Sequence, residues 1–175
     1  MKKVMYICLI LVVLGGVGVG VYFLKSGNSN KTQTNDTETT LDFSQSSVSD
    51  AYKGLSSISY LTEYESQSAV MTKSDSATNL VFFAPTKKAV DDFVASTALS
   101  LTKYLPYHVI IDENAPISVV EGAKLKTDDG QEVIIVKVDG NLYVRDAKGN
   151  DVRLRKPITV KNGAIYIIDK VLLTQ

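Results

Sequence analysis

Residues 80–86 read Leu80-Val81-Phe82-Phe83-Ala84-Pro85-Thr86, and this stretch decides the fold. Its first five residues make a short, fully apolar strand. Pro85 and Thr86 then open a helix, in which Ala89, Val90, Phe93 and Val94 share one face. Asp91 and Asp92 lie on the other side of its early turns, where the helix dipole tolerates them.

Upstream, Ala51, Leu55, Ile58 and Leu61 recur at helical spacing, with Ser49 as the cap and Gly54 as a weak point. Residues 65–79 read as a polar connection whose one apolar foothold is Ala69-Val70-Met71. Downstream, a second short helix over residues 98–104 is expected to stop before Pro106.

From Tyr107 the texture changes to strands. Val109-Ile110-Ile111 is one. Residues 123–127 and 132–138 flank Asp128-Asp129-Gly130, and Asp139-Gly140-Asn141 carries a hairpin signal into residues 142–145. Lys148-Gly149-Asn150-Asp151 turns into residues 152–155, and Asn162-Gly163 joins Ile158-Thr159-Val160 to residues 164–168. Val171-Leu172-Leu173 is expected to finish the sheet. Helices early and strands late predict an α+β domain over residues 48–175.

Three segments together carry a family likeness. They are residues 81–90, the pair Tyr107-His108, and residues 162–173, in that order and spacing. The chain resembles a fasciclin-type domain over residues 46–175. The resemblance implies a wedge of β-strands with helices packed at one side, and adhesion between cells or between cells and matrix. In animal members, residues around the Tyr-His pair and an Asp-Ile pair before the last motif are linked to integrin contact. Tyr107 and His108 match, and Ile158 matches the second half of the Asp-Ile pair, but Pro157 replaces its acidic half. The candidate partner-binding residues are therefore Tyr107, His108 and Ile158. Tyr166 stands where many members carry histidine.

Residues 4–24 contain no charged residue and follow Lys2 and Lys3. As a helix they would reach roughly 31 Å, the depth of a bilayer's hydrocarbon core. No Ala-x-Ala cleavage site follows, so residues 1–25 read as an uncleaved signal-anchor. The leading lysines place the N-terminus in the cytoplasm and everything after Lys25 outside. Residues 26–47 are polar and poor in aliphatics, a flexible tether of about 25 Å. The expected location is the cell membrane, single-pass, with the C-terminal domain extracellular.

The chemistry available to the exported part is narrow. His108 is the only histidine, and Cys8, the only cysteine, falls in the expected span. No disulfide or thiolate metal site can form outside the membrane, and no Gly-x-Ser-x-Gly nucleophile context exists. The simplest account of His108 is a partly buried ring that satisfies backbone groups near the first strand. Asp128-Asp129-Gly130 and residues 146–151 lack the spacing of a calcium loop and read as turns. Arg145, Arg153, Arg155 and Lys156 form either a basic patch for acidic polysaccharide or lipid headgroups, or ordinary solvated strand faces. Formal net charge is zero and no basic stripe suits nucleic acid. The expectation is a non-enzymatic module without cofactor or metal, engaging a surface or matrix protein or polysaccharide. The alternative is a small-ligand module that holds a lipid or sugar between helices and sheet.

Overall fold

The computed structural model describes residues 42–175. The expected membrane span over residues 4–24 and most of the tether lie outside them. Among the described residues no helix is long and apolar enough to cross a membrane.

Strand β1 (Leu80–Pro85) is buried at all six positions. That is why its sequence shows no alternation: both of its faces are covered. Leu80, Phe82 and Ala84 belong to one core cluster with the helices, whereas Val81 and Phe83 belong to a second cluster with the later strands. Burying Phe82 and Phe83 contributes about 2–3 kcal/mol each.

The helical layer precedes and follows β1. Helix α1 (Val48–Gly54) is capped by the Ser47 hydroxyl, which accepts the Asp50 amide. The expected single helix through Leu61 is broken after Gly54, and a 3₁₀ turn over Ser59–Tyr64 carries Leu61 inward instead. The cap is Ser47 and not Ser49, whose amide donates to Asp75. Residues 69–76, expected as connection, form helix α2 (Ala69–Ser76), because Val70 and Met71 need only one turn to reach the core. Helix α3 (Lys87–Thr97) begins later than expected, because Pro85 still belongs to β1 and Thr86 is the cap whose hydroxyl accepts the Ala89 amide; the helix buries Ala89, Val90 and Phe93. Val94, expected on that face, remains 42% exposed. The helix expected over residues 98–104 is reduced to a 3₁₀ turn over Leu101–Lys103 that ends before Pro106 as expected. Pro106 then sits in the first turn of a second 3₁₀ segment over Leu105–His108, where its missing amide hydrogen costs nothing. The last tether residues are also ordered: Phe43 packs on the helical cluster, and the Ser46 carbonyl accepts the Lys161 amide at 3.0 Å.

The strands form two four-stranded sheets. In the first, β1 runs antiparallel to β2 (Val109–Ile111) and parallel to β8 (Gly163–Ile168), with β7 (Ile158–Val160) outside β8. In the second, β3 (Lys124–Lys126), β4 (Glu132–Val138), β5 (Asn141–Arg145) and β6 (Asp151–Arg153) form an antiparallel meander in chain order. The inner face of this meander, carried by Val133, Ile135, Val144 and Val152, packs with Val81, Phe83 and Ile168 of the first sheet. The first sheet is therefore the middle layer, with helices on one side and the second sheet on the other. This is the expected α+β architecture.

One expectation at the C-terminus is corrected. Val171-Leu172-Leu173 is not a strand. Val171 and Leu172 are buried, but the amides of Leu172 and Leu173 are satisfied by side chains of the domain.

Candidate binding surfaces around Tyr107, His108 and Ile158

The 3₁₀ turn over Leu105–His108 turns both Tyr107 and His108 inward, and neither has exposed surface. His108 Nδ1 lies 2.8 Å from the Tyr104 carbonyl, and Nε2 lies 2.9 Å from the Leu172 amide. A carbonyl can only accept and an amide can only donate. The ring is therefore neutral, protonated on Nδ1, with its Nε2 lone pair taken by Leu172. Burial pushes its pKa down to about 4, outweighing the Tyr104 hydrogen bond and the more distant Asp129 and Asp146, which act upward. A general base needs a free lone pair facing a substrate. His108 has neither.

Tyr107 does a parallel job between strands. Its hydroxyl accepts the Ala147 amide at 2.8 Å and donates to the Glu132 carbonyl at 3.2 Å. This joins the start of β4 to the turn between β5 and β6. Burial pushes the phenol up to about 12. A partner docking on the folded surface cannot touch either side chain of the Tyr-His pair. Any part they play in binding passes through the backbone they hold.

Asp146 completes this construction, and its role was not apparent from the sequence beyond its place in a turn. Its Oδ1 accepts the amides of Lys148 and Asn150 at 2.9 and 2.8 Å, and its Oδ2 accepts the Leu173 amide at 3.0 Å. Its carboxylate is thus committed to backbone amides, in keeping with the turn that residues 146–151 predict. Asp129 behaves likewise, accepting the Thr127 hydroxyl at 2.6 Å and the Gln131 amide at 3.1 Å. Among the described residues no three His, Cys, Asp or Glu side chains gather as a metal site.

Ile158 is elsewhere. It sits half-buried on edge strand β7, opposite Ile165, and packs against the helix-side cluster. Tyr107 belongs to the cluster on the other side of the first sheet. The three candidates therefore do not converge on one patch. Tyr166 stacks obliquely on Phe83 with ring centroids 5.8 Å apart, so it also serves packing.

The Asn162 amide is a second residue whose role was hidden in the sequence, where Asn162-Gly163 reads only as a turn. Its Nδ2 donates to the carbonyls of Ser74 and Ala77 at 2.9 and 2.8 Å, closing the end of α2 from 85 or more residues away. Its Oδ1 is buried with no hydrogen-bond partner among the described residues. Asn162 lines an open groove of about 300 Å³ with Thr78, Asn79, Ile117, Val119 and Tyr166. A second groove of about 260 Å³ lies between α1 and α2, where Glu65 accepts from the Tyr52 hydroxyl and from Lys53 at 3.0 Å. Those two partners hold the Glu65 carboxyl below its ordinary range.

The family model of the fasciclin domain matches residues 53–174. Among solved structures, the chain is similar to a FAS1 domain pair from the insect cell adhesion molecule Fasciclin I, with a TM-score of 0.55 at 14% sequence identity. The match covers 73% of this chain and 50% of that one, so the chain spans about half the length of that domain pair. A search of curated proteins found no significant match.

Proposed function

The chain belongs to the fasciclin domain family, and we propose that it is a non-catalytic binding module that attaches a cell surface to another protein or polysaccharide. Fasciclin domains are cell adhesion modules, and the solved relative comes from a cell adhesion molecule. The observation that carries the reading is His108. The sole histidine is buried, neutral and bonded at both nitrogens, so the most versatile proton-transfer group of the exported chain serves architecture. What remains to act is the outer surface.

In this reading residues 4–24 anchor the chain in the membrane and residues 26–47 hold the domain close to it. A short tether favours partners in the same envelope as much as those on a second cell. Weak contacts then add up through many copies on one surface. The test uses the tagged full-length chain in two measurements: membrane fractionation with external protease accessibility, and retention on cells and immobilised polymers. Membrane association, external cleavage and retention on at least one surface are expected. A chain that stays in the soluble cytosolic fraction with its N-terminal segment intact overturns the reading.

A second reading, a carrier or sensor of a small lipid or sugar, is favoured by one feature. The groove beside Asn162 combines apolar Ile117, Val119 and Tyr166 with an unpartnered buried acceptor in one of its lining residues. A small molecule that co-purifies with the chain, without retention on any surface, would favour it.

A further inference from the structure

The outward face of the second sheet has no covering layer among the described residues. Registers place Lys124, Ile134, Arg145 and Asp151 in one row across its four strands, and Val136, Tyr143 and Arg153 in the next. Lys126 faces Glu132 in the row beyond Lys124. The side chains of these rows point away from the packed face because alternate residues of a strand take opposite sides. Half-buried Ile134, Val136 and Tyr143 thus form a stripe along the two central strands, and exposed cations stand at both borders.

Charge on this face is one-sided: four cations meet two carboxylates. Arg145 is neutralised by Asp151 through two hydrogen bonds of 2.7 Å each. Lys124, Lys126 and Arg153 have no salt-bridge partner among the described residues. Arg153 is braced instead by the neutral Asn141 side chain at 2.7 Å, which fixes the guanidinium beside Tyr143 and leaves its charge uncompensated. A prearranged guanidinium suits a carboxylate or sulfate. A tyrosine beside it offers a broad apolar surface with a polar tip, suited to a sugar ring.

We propose that this face, centred on Tyr143 and bordered by Arg153, Lys124 and Lys126, binds an acidic polysaccharide. The inference rests on the binding-module reading and names its ligand class and surface. The arrangement favours a polymer over a membrane. Its apolar stripe is half-buried, and the one large apolar side chain that projects from this face is Val138, 43% exposed at the hairpin end, too little to anchor in lipid beside four cations. A ribbon-like polymer uses both parts at once, with ring faces on the stripe and acidic groups toward the two borders. The sheet spans roughly 14 Å from β3 to β6 at ordinary strand spacing, wide enough for one such ribbon.

The test measures binding of the purified full-length chain to immobilised polygalacturonate, with uncharged dextran, anionic phosphatidylglycerol vesicles and a single-stranded oligonucleotide as alternatives. Three variants accompany it: Tyr143→Ala, a triple Lys124→Gln/Lys126→Gln/Arg153→Gln, and a control Lys87→Gln/Lys88→Gln on α3, whose lysines are already paired with Asp91 and Asp92. Thermal melts confirm that each variant folds. Expected are salt-sensitive binding to polygalacturonate but not dextran, a loss of tenfold or more in the triple variant, a several-fold loss in Tyr143→Ala, and no change in the control. Polymer binding that survives both face variants overturns this surface while the binding-module reading stands. Preference for vesicles or oligonucleotide overturns the ligand class. Binding to other cells or polymers without any to polygalacturonate also overturns it. Failure to bind any surface removes the premise itself.

Discussion

The amide of Leu172 donates to Nε2 of His108 at 2.9 Å, joining residues 64 apart in sequence. Because Nδ1 simultaneously serves the Tyr104 carbonyl, one neutral ring ties the turn after the helical layer to the C-terminal segment. The next residue, Leu173, is held by Asp146. The chain end is therefore fastened by two side chains where a strand would have used a neighbouring backbone.

This dependence on a neutral imidazole predicts acid sensitivity. The folded pKa is depressed to about 4 from an unfolded value near 6.5, so the unfolded chain binds the extra proton over that interval. Stability is full above about pH 6.5 and declines as pH falls toward 4, by roughly 3 kcal/mol in all. Urea denaturation at pH 7, 5.5 and 4.2 measures it. In His108→Gln the decline over this window should largely vanish, since the depressed carboxyls Glu65 and Asp151 begin to lose their contribution only at its acid end, near their unfolded values. An unchanged slope in His108→Gln would exclude His108 as its source.

The paired fastening predicts coupling between distant substitutions. Asp146→Ala leaves the Lys148, Asn150 and Leu173 amides without their side-chain acceptor and should cost about 2–4 kcal/mol. His108→Ala should cost a similar amount, through an unpaired Leu172 amide and a cavity. Both release the same segment, so the double variant should lose less than the sum, by about 1 kcal/mol or more. Hydrogen exchange supplies the local readout: the Leu172 and Leu173 amides should lose protection in either variant before the β8 amides do. Strict additivity with retained protection would mean that the two anchors act independently.

Which parts of this were readable beforehand follows from the range of each interaction. The strands, their hairpin turns and α3 depend on alternation, apolar runs and turn residues within a few positions, and these were visible. Helix α2 was not, because Thr72, Lys73, Ser74, Asp75 and Ser76 give it little apolar periodicity. Its missing end-capping comes from Asn162, which no local window contains. Val171-Leu172-Leu173 has the composition of a strand, yet its partners are side chains, a distinction that composition does not carry. The Tyr107-His108 pair was legible as a motif, but its complete burial is a property of the assembled layers.

Two glycines should respond very differently to the same methyl group. A Cβ on Gly163 would lie 1.9 Å from the Leu80 carbonyl oxygen, an overlap with backbone that only separation of β1 from β8 can relieve. Gly163→Ala should therefore cost more than about 4 kcal/mol, beyond the ordinary range of single substitutions. Gly140, at φ +81° in the β4–β5 hairpin, has nothing within 4 Å of its would-be Cβ. Its alanine variant bears only the left-handed backbone penalty, about 1–2 kcal/mol. Equal midpoints in urea would contradict the close approach of β8 to β1.

Tyr107 allows structural support to be separated from partner contact by a single atom. Tyr107→Phe keeps the ring in its cluster but strands the Ala147 amide, at a cost of about 1–2 kcal/mol. The phenol's pKa is raised above its ordinary value near 10, so the folded state disfavours its ionisation and loses stability as pH rises from about 10 toward 12. That part of the alkaline loss should disappear in the phenylalanine variant, whereas the part due to Tyr60, also raised by burial, remains. Because the hydroxyl faces the β5–β6 turn and not solvent, retention on a binding surface should be unchanged at neutral pH wherever the variant stays folded. A variant with wild-type melting and alkaline behaviour but abolished retention would instead make Tyr107 a contact residue, and would require that turn to open when the partner arrives.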